Sequence, residues 1–107
     1  MNGYQITFFT QQDRKHRGLP LGEWLVLLAR DLNLPGATLI AGSEGLGRRR
    51  RIHSAHFFDL ADQPLEVQMV VGEDDAKRLF ERLETEGVPV FYVKAPVEFG
   101  TLGVSRS

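Results

Sequence analysis

Pro64-Leu-Glu-Val-Gln-Met-Val-Val-Gly72 runs directly into Glu73-Asp-Asp-Ala-Lys-Arg-Leu-Phe-Glu-Arg-Leu83, and the change of period between them decides the fold. In the first segment Leu65, Val67, Met69 and Val71 fall on one side, with Glu66 and Gln68 on the other, as in a half-buried strand. In the second, Ala76, Leu79, Phe80 and Leu83 recur at helical spacing. Glu73, Asp74 and Asp75 supply a cap and negative charge at the helix start. Gly87 closes the helix.

The same reading extends to both sides. Tyr4 to Thr10 is rich in aromatic and β-branched residues and predicts a strand. Gln11 to Gly18 is a polar loop, within which His16 is expected to face solvent. Pro20 suits the first turn of a helix, and Leu21, Trp24, Leu25, Leu28 and Leu32 give that helix one wide apolar face. Pro35-Gly36 ends it and delivers a short strand, Ala37 to Ala41. Beyond Gly87, Val88 to Lys94 predicts a last strand, with Pro96 to Phe99 extending it or crossing to a neighbour. Thr101 to Ser107 reads as a flexible tail.

The order is strand, helix, strand, strand, helix, strand. It predicts an α+β fold, the ferredoxin-like βαββαβ sandwich, with two helices on one face of a four-stranded antiparallel sheet. The 107 residues suffice for one domain, 1–107, and one core. Phe8 and Phe9 are adjacent, as are Val90 to Val93, so apolar side chains point to both sheet faces. The face without helices is expected to meet another subunit or the long loop, a homo-oligomer being the economical explanation.

Composition narrows the function. The net charge of -1 gives no bulk attraction to nucleic acid or an anionic surface. No cysteine is present, which excludes disulfides and thiolate chemistry. Met1 to Thr10 lacks the pattern of a signal peptide, and no apolar stretch approaches the roughly 20 residues of a membrane span. The expected location is the cytoplasm.

Chemistry concentrates between the second and third strands. Gly42, Gly45 and Gly47 permit sharp turns and close backbone approach, and Arg48, Arg49, Arg50 and Arg51 follow at once. Exposed N–H groups beside clustered guanidiniums suit a phosphate. The bland alternative is a solvated basic loop. The segment Gly42-Ser-Glu-Gly-Leu-Gly47 is no P-loop, since it lacks the Gly-Lys-Ser/Thr ending and precedes no helix. His53 and His56 are three apart, a spacing that on a helix places two imidazoles on one metal, although the stretch reads as loop. Nucleic-acid binders on such sheets also present stacking aromatics, but Phe8, Phe91 and Tyr92 are explained as core or interface.

Taken together, Gly36-Ala37-Thr38 through Gly45-Leu46-Gly47-Arg48, then Ile52-His53, resemble the PII-like proteins, and most closely their DUF190 branch. Gly18-Leu19-Pro20-Leu21 and Pro64-Leu65-Glu66-Val67 share the likeness, which spans about Ile6 to Phe99. The resemblance implies a homotrimer with sheets facing inward and an adenine-nucleotide cleft between subunits. By position it carries Thr38, Gly45, Gly47, Arg48, Arg49 and Lys94 to that cleft. It implies a projecting loop, about 48–63, whose Arg50, Arg51, His53, His56, Phe57 and Phe58 engage a target protein such as a membrane transporter or an enzyme. Arg49 stands where PII proteins carry a glutamine that helps bind magnesium. Their glycine-rich loop before the last strand is here Glu86-Gly87-Val88-Pro89.

The expected function is therefore a non-enzymatic, trimeric regulator with a phosphorylated effector, no required cofactor, no catalytic residue and no resident metal. The rivals are a CutA-like metal-binding trimer and a small ferredoxin-like enzyme using His53 or His56.

Overall fold

The computed structural model describes residues 1–41 and 64–104. Two long strands form the middle of its main sheet. Strand β1 (Asn2–Gln11) pairs antiparallel with a later strand, β5 (Pro64–Gly72), from Gly3 opposite Gly72 to Gln11 opposite Pro64. On the outer side of β5 lies β4 (Thr38–Ala41), and on the outer side of β1 lies β6 (Phe91–Glu98). The sheet order is β4-β5-β1-β6, antiparallel at every junction. Helices α1 (Leu21–Asp31) and α2 (Glu73–Glu86) complete the ferredoxin-like order.

The alternation in β5 does what its sequence implies. Leu65, Val67, Met69 and Val71 are buried, and Val67, Met69 and Val71 with Ile6 and Phe8 of β1 form one core with Leu21, Leu25 and Leu28 of α1 and Ala76, Leu79 and Leu83 of α2. Each of the larger side chains, Ala76 apart, contributes about 1.5–3 kcal/mol by leaving water. Trp24 and Ala29 close the α1 side.

Helix α2 ends as its sequence suggests, whereas α1 stops at Asp31, with Leu32 as C-cap and Asn33 at φ 59°, before Pro35-Gly36 is reached. The start of α2 also differs from expectation. Gly87 takes the left-handed conformation, φ 68°, and its N–H reaches the Leu83 and Glu84 carbonyls. At the other end Gly72 is the N-cap, with no side-chain capping hydrogen bond. Glu73, Asp74 and Asp75 all fall in the first turn, where they act on the helix dipole rather than as a cap.

Two further departures bear on function. The segment read as polar loop holds the first strand and the turn of a small hairpin, β2 (Lys15–His16), which pairs with β3 (Leu19–Pro20) just beyond it. Arg17 and Gly18 form its two-residue turn, both with positive φ (52° and 80°), as a tight turn of the primed type requires. Two residues on each side are too few to show a period. The last strand begins at Phe91 rather than Val88 and runs to Glu98. Pro89 has no N–H for a ladder, whereas Pro96 is tolerated because β6 is an edge strand.

Among the described residues, nothing covers the sheet's second face. Register rows across it read Ile40, Glu66, Phe9, Phe91 and then Thr38, Gln68, Thr7, Val93. Phe91 is 57 % exposed and Val93 47 %, and Phe9, Ile40 and Val70 are also exposed. Phe9 and Phe91 stack at 5.6 Å between ring centroids.

Candidate functional site

Of the residues assigned to the nucleotide cleft, two lie among those described. Thr38 opens β4, opposite Gln68, on the uncovered face. Lys94 lies in β6 opposite Ile6, on the helix-covered side. Three strand spacings separate β4 from β6, roughly 14 Å at the usual inter-strand distance. One chain therefore does not bring Thr38 and Lys94 together. Gly45, Gly47, Arg48, Arg49, Arg50, Arg51, His53, His56, Phe57 and Phe58 lie outside the described residues. The ends of that segment are placed, however. Ala41 pairs with Leu65, which faces Thr10, and Pro64 pairs with Gln11.

Lys94 occupies a groove between α2 and β6, an open cavity of about 910 Å³. Its ammonium lies 4.5 Å from the Tyr4 ring centroid and 5.2 Å from that of Phe80. Both rings attract a cation by their faces. Phe80 also meets Tyr92 edge-on at 4.9 Å and Phe8 at 6.2 Å, so the floor is continuous with the core. Glu73, Asp74, Glu81 and Glu84 line the walls with Lys77. Four carboxylates disfavour an anion there, and the lysine is held by its own chain.

A second cluster forms where the β2–β3 hairpin meets the end of α2. The Glu86 carboxylate bonds His16 Nε2 at 3.1 Å, accepts from Arg17 Nε at 2.8 Å and from Arg17 Nη2 at 3.4 Å. Arg82 Nε is 3.5 Å away. Beside them Arg14 donates to the Pro89 carbonyl at 2.6 Å. His16 packs its edge on Trp24, 4.4 Å between centroids. The expectation that His16 faces solvent is thus corrected, for its side chain is only 21 % exposed and is held by Glu86. These donors, His16 first and then Arg17, lower the Glu86 carboxyl from 4.5 to about 2. The pairing joins positions 70 apart, and no spacing rule announces it. The one local clue was Arg17-Gly18, a turn pair that sets the hairpin.

A family model for DUF190, described as an uncharacterized ACR, matches residues 3–90. The chain belongs to the DUF190 family. Among curated relatives, this DUF190 chain is similar to a UPF0166 protein of Aquifex aeolicus (strain VF5). The two are 28% identical over 80 residues, which is 74% of this chain and 76% of the relative. Among solved structures it resembles a PII-like signalling protein of Thermus thermophilus, with a TM-score of 0.63 and 20% identity. That match covers 90% of this chain and 87% of the other. It also resembles CPII of Thiomonas intermedia K12 bound to ADP and bicarbonate, with a TM-score of 0.64 and 16% identity over 94% of this chain and 91% of that one. The same CPII bound to ADP, AMP and acetate matches with a TM-score of 0.62 and 15% identity, covering 94% and 90%. At these identities the likeness establishes the fold of the DUF190 chain as PII-like.

Proposed function

We propose that this DUF190 protein is a non-enzymatic PII-type regulator. It assembles as a homotrimer and binds an adenine nucleotide between subunits. It presents the Arg48–Gln63 stretch, with its basic residues and its Phe57-Phe58 pair, to a target protein.

One observation carries the nucleotide reading: a protein sharing this fold over 94% of the chain, CPII, is described as bound to ADP. The geometry is compatible with a shared cleft. Thr38 and the chain leading to Gly45, Gly47, Arg48 and Arg49 leave one edge of the sheet, whereas Lys94 and the Gly87–Pro89 connection belong to the other. A site using both edges needs a second copy. The exposed row of Phe9, Phe91, Val93, Ile40 and Val70 supplies an apolar surface for that copy. A nucleotide acts as a signal here only if it binds one arrangement of the Arg48–Gln63 stretch better than another.

The test is thermal unfolding against ADP, AMP and ATP, each with and without magnesium. A ligand at 100 times its dissociation constant stabilises by about 2.7 kcal/mol, a readily measured shift. The shift should be selective for one nucleotide and vanish in Arg48→Ala/Arg49→Ala, while light scattering returns three times the chain mass. Absence of any nucleotide-dependent shift refutes the ligand assignment, and a monomeric mass refutes the shared cleft.

A further inference from the structure

The β2–β3 hairpin and the last turn of α2 gather positive charge around one carboxylate. Arg17 and His16 come from the hairpin, Arg82 from α2, and all three reach Glu86. Arg14 adds a third guanidinium on the neighbouring Pro89 carbonyl. Lys15 belongs to the same hairpin, and Asp13 is the one carboxylate between Gln11 and Pro20. Three guanidiniums against one carboxylate leave two positive charges unmatched by Glu86, before Lys15 and His16 are counted.

The position makes this excess significant. Glu86 is the last residue of α2, where the helix dipole is negative and disfavours an anion. The carboxyl is nevertheless lowered to about 2, so the surrounding donors outweigh the dipole. Arg17 also adopts φ 52°, a left-handed backbone that is uncommon outside glycine. In that conformation its guanidinium makes two contacts to the carboxylate, the fork geometry that also suits phosphate oxygens. The guanidiniums are open to approach: the side chain of Arg17 is 68 % exposed and that of Arg82 43 %, whereas that of Glu86 is 11 % exposed.

We propose that this cluster is an anion site whose resting occupant is the Glu86 carboxylate and whose exchanging ligand is a phosphate group. A phosphate offers more charge and more acceptor oxygens than a carboxylate to the same donors. Its arrival releases Glu86, and with it the tie between the hairpin and the end of α2. The hairpin is continuous with Gln11, which pairs with Pro64. The exchange therefore acts at the end of the sheet where the segment between β4 and β5 is anchored. Glu86 adjoins, and Pro89 ends, the Gly87–Pro89 connection assigned to the proposed nucleotide cleft. The donors Arg14, His16, Arg17 and Arg82 are not cleft residues, so variants of Arg17 and of Arg48/Arg49 separate the two readings.

Phosphate and pyrophosphate titrations of the full chain, at constant ionic strength with chloride as the reference, provide the test. Glu86→Gln keeps the shape and removes the internal competitor, so it should bind the anion about tenfold more tightly than wild type, the worth of one charge-assisted contact. Adding Arg17→Ala to Glu86→Gln should abolish the gain. Equal binding by wild type, Glu86→Gln and the double variant overturns the proposal, and marks the cluster as a structural ion pair. Should Glu86→Gln fail to fold, the wild-type His16 imidazole resonances serve instead. They should move with phosphate and stay still in Arg17→Ala, and unmoved wild-type resonances overturn the site. In Arg48→Ala/Arg49→Ala the response should persist. Its loss there assigns the anion to the nucleotide cleft and overturns this site.

Discussion

His16 Nε2 and Glu86 Oε1 meet at 3.1 Å although 70 positions separate them, and this contact fastens the β2–β3 hairpin to the end of α2. Trp24 forms the other side of the imidazole's seat, so α1, the hairpin and α2 converge on one ring. The hairpin backbone is tied at the same place, where Leu21 N–H donates to the Arg14 carbonyl at 2.7 Å. A two-residue ladder alone could not hold such a hairpin in water.

The contact makes acid stability depend on Glu86. Its carboxyl is lowered from 4.5 to about 2 by the His16 hydrogen bond first and by Arg17 second. A carboxyl that releases its proton more readily when folded adds stability above its unfolded value of 4.5, and that contribution is lost as the pH falls through about 2. The unfolding midpoint of wild type should therefore drop more steeply than that of Glu86→Gln between these limits. Circular dichroism melts across the range check this, and parallel curves would rule out the linkage.

Gly3 is the tightest backbone position in the sheet. It lies between Gly72 on β5 and Val97 on β6. A Cβ there would overlap the Val71 carbonyl oxygen and come within 2.8 Å of the Phe99 ring. With strands on both sides, β1 cannot shift away. Gly3→Ala should cost about 1–3 kcal/mol, the range for overpacking. Gly36→Ala, with nothing within 4 Å among the described residues, should stay within about 0.5 kcal/mol of wild type. Urea midpoints distinguish the two.

Gly87 is constrained for a different reason. Among the described residues nothing lies near its missing side chain, but its φ of 68° is the left-handed conformation that ends α2. Gly87→Ala should lose about 1 kcal/mol in the same denaturation assay, and Gly87→Asn less, because asparagine tolerates that region.

These positions show why the fold was legible and the site was not. Leu65, Val67, Met69 and Val71 declare a strand because burial on one face imposes a period of two, and Leu21, Trp24, Leu25 and Leu28 declare a helix likewise. Such patterns are local. The hairpin is too short to carry one, and the start of β6 is set by Pro89 and by the reach of β1 rather than by the apolar run from Val88. The Glu86 cluster is a tertiary event between two charged segments that each read as ordinary solvated surface. Lys94 was legible as the strand's lone lysine, but not its seat over Tyr4 and Phe80, because the register of β1 against β6 decides which face it takes.

The uncovered sheet face gives the clearest separation of folding from assembly. Phe8 and Phe91 are both aromatic and lie on adjacent strands, yet Phe8 is fully buried beneath the helices and Phe91 is 57 % exposed on the opposite face. Phe8→Ala opens the core and should cost about 3–5 kcal/mol of chain stability. Phe91→Glu leaves that core intact but places a charge beside Phe9 and in the row that contains Ile40 and Glu66. If a second copy covers this row, the buried charge has no partner and the assembly should dissociate, while the far-ultraviolet spectrum stays native. Light scattering at several concentrations measures it. A Phe91→Glu protein that keeps the wild-type assembled mass would show that the face is not the interface, and the self-association proposed for this chain would have to use another surface.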